Sequence, residues 1–279
     1  MFFLLLAIVS SSMITIVMRL SEGRISGKIS MLAVNYLTCM ILSVMFTGTG
    51  SLFPKAGEIR LTFALGILNG LFYMLALVLM QYNIRRNGVV FSTVFAKVGG
   101  LLVPLAVSVS AFGEKPGIPQ AAGALLAVVS MIVMNYEKEQ IQAGSKLLLI
   151  WLFLTEGCAA AMSKVYDEVG AIRFSGHFLL YTFTAAFLLC LLLILHNKEK
   201  HGQAEWIFGI MIGVANFFAS RFLLKALEQV PAVVAYPLRG VAGIALVSLA
   251  GIVLFKERLK KRQWGAMGVI LAAVALLNL

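Results

Sequence analysis

Three charged side chains fall where a charge is hardest to keep. Lys97 lies inside an apolar run from Gly88 to Phe112, Arg239 inside one from Pro231 to Phe255, and Glu156 inside one from Lys146 to Lys164. Runs of this length cross a bilayer as helices. An ionised group at mid-membrane is strongly destabilising unless it is paired or faces water. On a helix, Thr93, Lys97, Gly100 and Pro104 share one face, and Tyr236, Arg239, Gly240 and Gly243 make a matching stripe. Glycine beside a cation lets a ligand or another backbone come close, and Pro104 interrupts helical hydrogen bonding there. The pattern points to two cations holding a carboxylate or phosphate within the membrane. Its alternative is a structural ion pair in which Glu156 neutralises one of them. Glu156 has three readings: a proton-coupling site, a ligand for a substrate amine, or the partner of Arg239 or Lys97.

Other polar residues support a cavity more loosely. Asn69, Tyr73 and Gln81 fall near one face of the third span, and Asn216 and Ser220 near one face of the eighth. They suit the walls of a polar cavity, and equally hydrogen bonds between helices. Arg221, Lys225 and Glu228 read as a snorkelling ion network, and Arg19 and Lys164, at matching span ends, as interfacial anchors. His177, His196 and His201 form no ligand spacing, so no metal is expected. Cys39, Cys158 and Cys190 fall in apolar runs without paired spacing and read as small core residues. There is no phosphate-cradling glycine loop, and no nucleophile or acid/base pair near an interface. Neither a cofactor nor an enzyme activity is expected.

The elements that must position these residues are membrane helices. Of the 279 residues, 61% are hydrophobic and 13% charged, which excludes an ordinary soluble domain. The apolar runs are continuous rather than alternating, which argues against a β-barrel. Candidate spans are 2–20, 30–47, 61–81, 88–112, 118–135, 146–164, 176–196, 205–226, 231–255 and 264–279. The first lacks the flanks of a cleaved leader and reads as a retained span. The net charge of +11 sits mostly in short loops, as membrane orientation requires, so nucleic acid is not an expected partner.

The chain repeats itself. A shift of 143 residues superposes Gly66 on Gly209, Ile67 on Ile210, Gly70 on Gly213, Phe112 on Phe255, Glu114 on Glu257 and Gln120 on Gln263. A shift of 145 places Met18 and Arg19 on Ser163 and Lys164. The halves are 1–140 and 141–279, with five spans each. An odd number inverts one half relative to the other. The expected fold is an all-α integral membrane protein of ten transmembrane helices in two inverted five-helix repeats, the architecture of a secondary transporter.

The segments Ala226–Ala232 (ALEQVPA), Phe255–Leu259 (FKERL) and Gln263-Trp264-Gly265, leading into Gly268–Leu271, are similar to the drug/metabolite transporter superfamily, EamA-like branch. Phe112-Gly113-Glu114 and Gln120–Gly123 repeat them more weakly. The resemblance covers nearly the whole chain. It implies ten spans as two five-span repeats and transport of a solute, in a superfamily that carries amino acids, nucleotide sugars, phosphorylated sugars and drugs. Plastid sugar-phosphate translocators of that superfamily place basic phosphate ligands on the fourth and ninth spans, where Lys97 and Arg239 fall. They carry a basic pair on the ninth span, whereas this chain has one cation. Small multidrug transporters use a glutamate in the first span, where this chain offers Ser11.

Counted with the adjoining span ends, loops one, three, five, seven and nine hold 14 Lys and Arg against 6 on the other side. The charge rule puts both termini outside, and the family resemblance puts them inside. The expectation is therefore a multi-pass cell-membrane exporter or exchanger, a monomer or a homodimer, working by alternating access. Its preferred solute is a small polar metabolite whose anionic group is bound by Lys97 and Arg239, with protons as a coupling ion at Glu156. The runner-up is a proton-coupled exporter of drugs or cationic metabolites that uses Glu156.

Overall fold

In lipid no water is available to satisfy a bare N–H or C=O, so an apolar chain must close its own hydrogen bonds and becomes helical. The computed structural model of the chain describes residues 1–47, 54, 57, 59–135, 146–197, 202–256 and 261–277. Within helices, the side chains of residues 81, 84, 85, 87–91, 93, 94, 134, 135, 255 and 263 lie outside that description. The described residues form helices and no strands: α1 (Phe2–Ser21), α2 (Lys28–Thr47), α3 (Ile59–Phe112), α4 (Ile118–Asn135), α5 (Lys146–Val169), α6 (Ser175–Asn197), α7 (Gln203–Leu227), α8 (Ala232–Phe255) and α9 (Lys261–Leu277). One 3-10 turn, Ile172–Phe174, precedes α6.

Among the described residues, eight segments are long and apolar enough to cross a membrane, and two shorter apolar helices, Ile118–Val133 and Trp264–Leu277, accompany them. The outward faces are as apolar as the interior: Ile118, Leu195 and Met45 stand 88%, 74% and 69% exposed. That inverts the rule for soluble proteins and suits a lipid solvent.

Residues 82–87 depart from expectation. The spans 61–81 and 88–112 leave them as a loop, but a single helix of 54 residues, Ile59–Phe112, runs unbroken through them. Its two membrane-length stretches are Ile59–Met80 and Phe95–Phe112. Tyr82-Asn83-Ile84-Arg85-Arg86-Asn87 contains neither proline nor glycine, so polarity alone marked a loop where nothing stops a helix.

The chain divides into two compact units. The first comprises Leu75–Lys164 and Leu227–Leu279, with Met1, and the second Phe2–Met74 and Val165–Ala226. Each takes helices from both halves of the sequence.

In the first unit α4 lies along α9, with α8 against both. Their core is Val98, Leu101, Ala127, Met131, Val241, Ile244, Ala266 and Ile270. The second unit pairs α2 with α6. Around that pair the repeated glycines make one contact twice. A Cβ at Gly66 of α3 would sit 2.7 Å from the Tyr181 Cβ of α6, and one at Gly70 2.6 Å from the Ala185 Cβ. A Cβ at Gly209 of α7 would sit 2.6 Å from the Val34 Cβ of α2, and one at Gly213 2.6 Å from the Thr38 Cβ. The glycines differ by 143 in each pair, and their targets by 147 (181 against 34, 185 against 38).

Candidate functional site

The first unit gathers α3, α5 and α8, the helices that carry Lys97, Glu156 and Arg239. Gly99 of α3 meets the backbone of Phe153 in α5, and Gly157 of α5 meets Val103 of α3. Both contacts join positions 54 apart, so the two helices run parallel in that register. The Tyr236 hydroxyl donates to the Ala160 carbonyl at 2.9 Å, fixing α8 to α5. Gly240 opens onto Met131 and Leu101, fixing α8 to α4 and α3.

This register sets the depths of the charges. Glu156 lies level with position 102 of α3, and Gly240, which faces Leu101, sets the neighbouring Arg239 at a similar depth. Lys97 stands five residues before position 102 on α3, about 8 Å away along the axis. All three are half-buried. Among the described residues none of them hydrogen-bonds or pairs with another group, so the ion pair weighed between Glu156 and either cation is not formed there. The geometry sets two cations and a carboxylate on three packed helices, each without a partner among the described residues.

Tyr236, expected beside the solute, is buried, and its hydroxyl serves the tie to Ala160. The side chains of Thr93 and Gln81 lie outside the described residues. Asn69, Tyr73 and Asn216 belong to the second unit. There the Asn69 amide donates to Thr182 Oγ1 at 3.3 Å, and the Asn216 amide to Asn35 Oδ1 at 3.2 Å. These are hydrogen bonds between helices, the plainer of the two readings. Asn69 Oδ1 is buried with no partner among the described residues. Tyr73 is half-buried.

Lys164 corrects an expectation. It is 4% exposed, and its ammonium lies 2.8 Å from Glu114 Oε1, so it is a buried partner and not an interfacial anchor. The alternation of apolar and polar residues near a span end looks the same in both cases; the acid that faces it comes from 50 residues away. Arg221 lies over the ring of Phe46 at 4.9 Å, and Lys225 over that of Phe3 at 5.1 Å, so these cations use aromatic faces. Glu114 and Asn83 were missed. Glu114 had a signal, since it recurs as Glu257 in the repeat. Asn83, whose amide donates to Leu79 and Leu148 carbonyls at 2.9 Å, had none.

The EamA-like transporter family model matches residues 146–279, which hold α5 to α9. The chain is similar to two curated proteins named spermidine export protein MdtI. That of Cronobacter sakazakii is 32% identical over 82 residues, covering 29% of this chain and 75% of the relative. That of Shigella dysenteriae is 33% identical over 82 residues with the same coverage. A solved crystal structure shares the fold at a TM-score of 0.75, over 99% of this chain and 94% of the other, with 14% identity.

Proposed function

The chain belongs to the EamA-like transporter family, and we propose that it is a secondary transporter of a small polar metabolite bearing an anionic group. It is a multi-pass protein of the cell membrane. Lys97 and Arg239 hold the anionic group, and Glu156 receives the ammonium of an amino-acid-like solute or the coupling proton.

The observation that carries this reading is that Lys97, Glu156 and Arg239, on three packed helices, have no partner among the described residues. Charges kept in the membrane without partners are strongly destabilising, and a solute of complementary charge supplies what they lack. Glu156 and Arg239 at one depth suit a carboxylate and an ammonium on neighbouring carbons, with Lys97 reaching from about 8 Å away.

The two-fold glycine contact, at constant offsets of 143 and 147, supports two inverted repeats of five helices, 1–140 and 141–279. The family match over α5 to α9 is in keeping with one such repeat. Alternating access then exchanges the roles of equivalent helices about a fixed site.

A second reading rests on the relatives' name: a polyamine exporter in which Glu156 is the primary ligand. A melting screen of purified protein against carboxylates, phosphates, amino acids and polyamines separates the two. Stabilisation by anionic or zwitterionic solutes that Lys97→Gln abolishes supports the proposal. Stabilisation by polyamines alone, lost in Glu156→Gln, replaces it with the second reading.

A further inference from the structure

Glu114 stands at the corner between α3 and α4 and holds three helix ends. Its Oε1 accepts the Ala232 N–H and its Oε2 the Val233 N–H, each at 3.0 Å, while the Lys164 ammonium lies 2.8 Å from Oε1. Ala232 and Val233 open α8, Lys164 lies near the end of α5, and Glu114 follows α3 by two residues. These are the helices that carry Arg239, Glu156 and Lys97. A helix N-terminus offers unpaired N–H groups and a partial positive charge, so a carboxylate is favoured there twice over.

Two of these helices are weakened just inside the clasp. Pro237 lacks the N–H that would bond to the Val233 carbonyl, so the first turn of α8 is only loosely joined to the rest. Pro104 likewise leaves the Gly100 carbonyl of α3 without its helical donor. The Glu114 side chain is 15% exposed, within reach of water.

The second unit has a clasp of the same kind without these features. Glu205 Oε1 accepts the N–H groups of Ser26 and Gly27 at 2.7 and 3.0 Å, ahead of α2, and Oε2 accepts that of Gly202 at 2.9 Å. Glu205 is 2% exposed, no cation pairs with it among the described residues, and neither α2 nor α7 contains proline.

We infer that Glu114, Lys164 and the first turn of α8 form a latch that opens and closes one end of the three charge-bearing helices, while the Glu205 clasp stays shut. Opening frees the start of α8, hinged at Pro237, and uncovers the path toward Arg239 and Glu156. The inference rests on reading these helices as the solute pathway, but its test needs no solute, so each idea fails separately.

The test is amide hydrogen exchange on the purified full-length protein at neutral pH, comparing Ala232 and Val233 with Ser26 and Gly27. A latch predicts exchange at Ala232 and Val233 at least about tenfold faster than at the Glu205 clasp, corrected for intrinsic rates. Lys164→Gln accelerates it by about tenfold more and leaves Ser26 and Gly27 unchanged. The reversed pair, Glu114→Lys with Lys164→Glu, stays fast, because an ammonium cannot accept from the α8 N–H groups. Equal exchange at the two clasps in the wild type, no response to Lys164→Gln, or protection restored by the reversed pair overturns the inference. Should the reversed pair fail to fold, Lys164→Gln decides alone, since it keeps the Glu114 carboxylate in place.

Discussion

At the scale of single residues, the intramembrane charges and Glu114 respond to opposite tests. Lys97 stabilises nothing the structure describes, so Lys97→Gln is expected to raise the melting temperature by about 2–4 °C while abolishing any anion-dependent stabilisation. A fall in melting temperature would mean that the ammonium has a structural partner. Glu114 behaves in the reverse sense. Partial burial pushes its carboxyl up, but the Lys164 hydrogen bond and charge, with the N–H groups of Ala232 and Val233, outweigh this and hold it below the usual carboxylate range. A group depressed in the folded state contributes stability above its unfolded value, near pH 4.3, and loses it as pH falls through the folded value. Corrected exchange at Ala232 and Val233 is therefore expected to be flat from about pH 8 to pH 5.5 and to rise only below about pH 4. A midpoint near neutrality would show that protons work the latch directly. The charges were legible because a lysine or arginine in an apolar run has so few reasons to be there. The partner of Lys164 was not, because helical spacing says nothing about what arrives from another span.

At the scale of helices, the repeated glycines and the internal prolines make different demands. Gly70 and Gly213 admit a neighbouring helix so closely that a methyl group would meet its Cβ at 2.6 Å. Gly213→Ala is expected to destabilise the folded protein by about 1–3 kcal/mol in reversible unfolding, and Gly70→Ala by a similar amount. Unequal effects would mean that the two contacts are not equivalent in solution. Pro237 serves the latch as a hinge rather than a spacer. Pro237→Ala restores the missing hydrogen bond, so it should raise the melting temperature and slow exchange at Ala232 and Val233, while reducing transport of whichever solute the screen identifies. Helices were readable at all ten expected spans because lipid imposes one length and one periodicity, and eight described segments are long and apolar enough to cross a membrane. Residues 82–87 were misread because a polar stretch between two spans was equated with a loop, and no breaker was there to make it one.

At the scale of the whole molecule, chain order and compactness disagree, and the disagreement is informative. The halves 1–140 and 141–279 are a reading of matched residues, on the premise that a duplicated chain keeps its glycines and acids at fixed offsets. The compact units were not legible, because a repeat says which segments are equivalent and nothing about which pack together. In the second unit α2 lies along α6, and in the first α4 lies along α9, so the most extensive pairing in each unit joins one helix from each half. A half expressed alone would carry α2 without α6 and α4 without α9, with glycine faces such as Gly66 and Gly70 shaped for a neighbour that is missing. Separate expression of the segments ending at Asn135 and beginning at Lys146 is therefore expected to give unstable, protease-sensitive products. Co-expression should restore a complex that copurifies and melts cooperatively, because membrane insertion precedes helix association and pairing does not require a covalent link. If either segment alone melts cooperatively as a monomer, the units form within halves and the interleaved packing is wrong. If each forms a stable homodimer, the equivalence of the halves is strong enough for one to stand in for the other, as a duplicated ancestor would require.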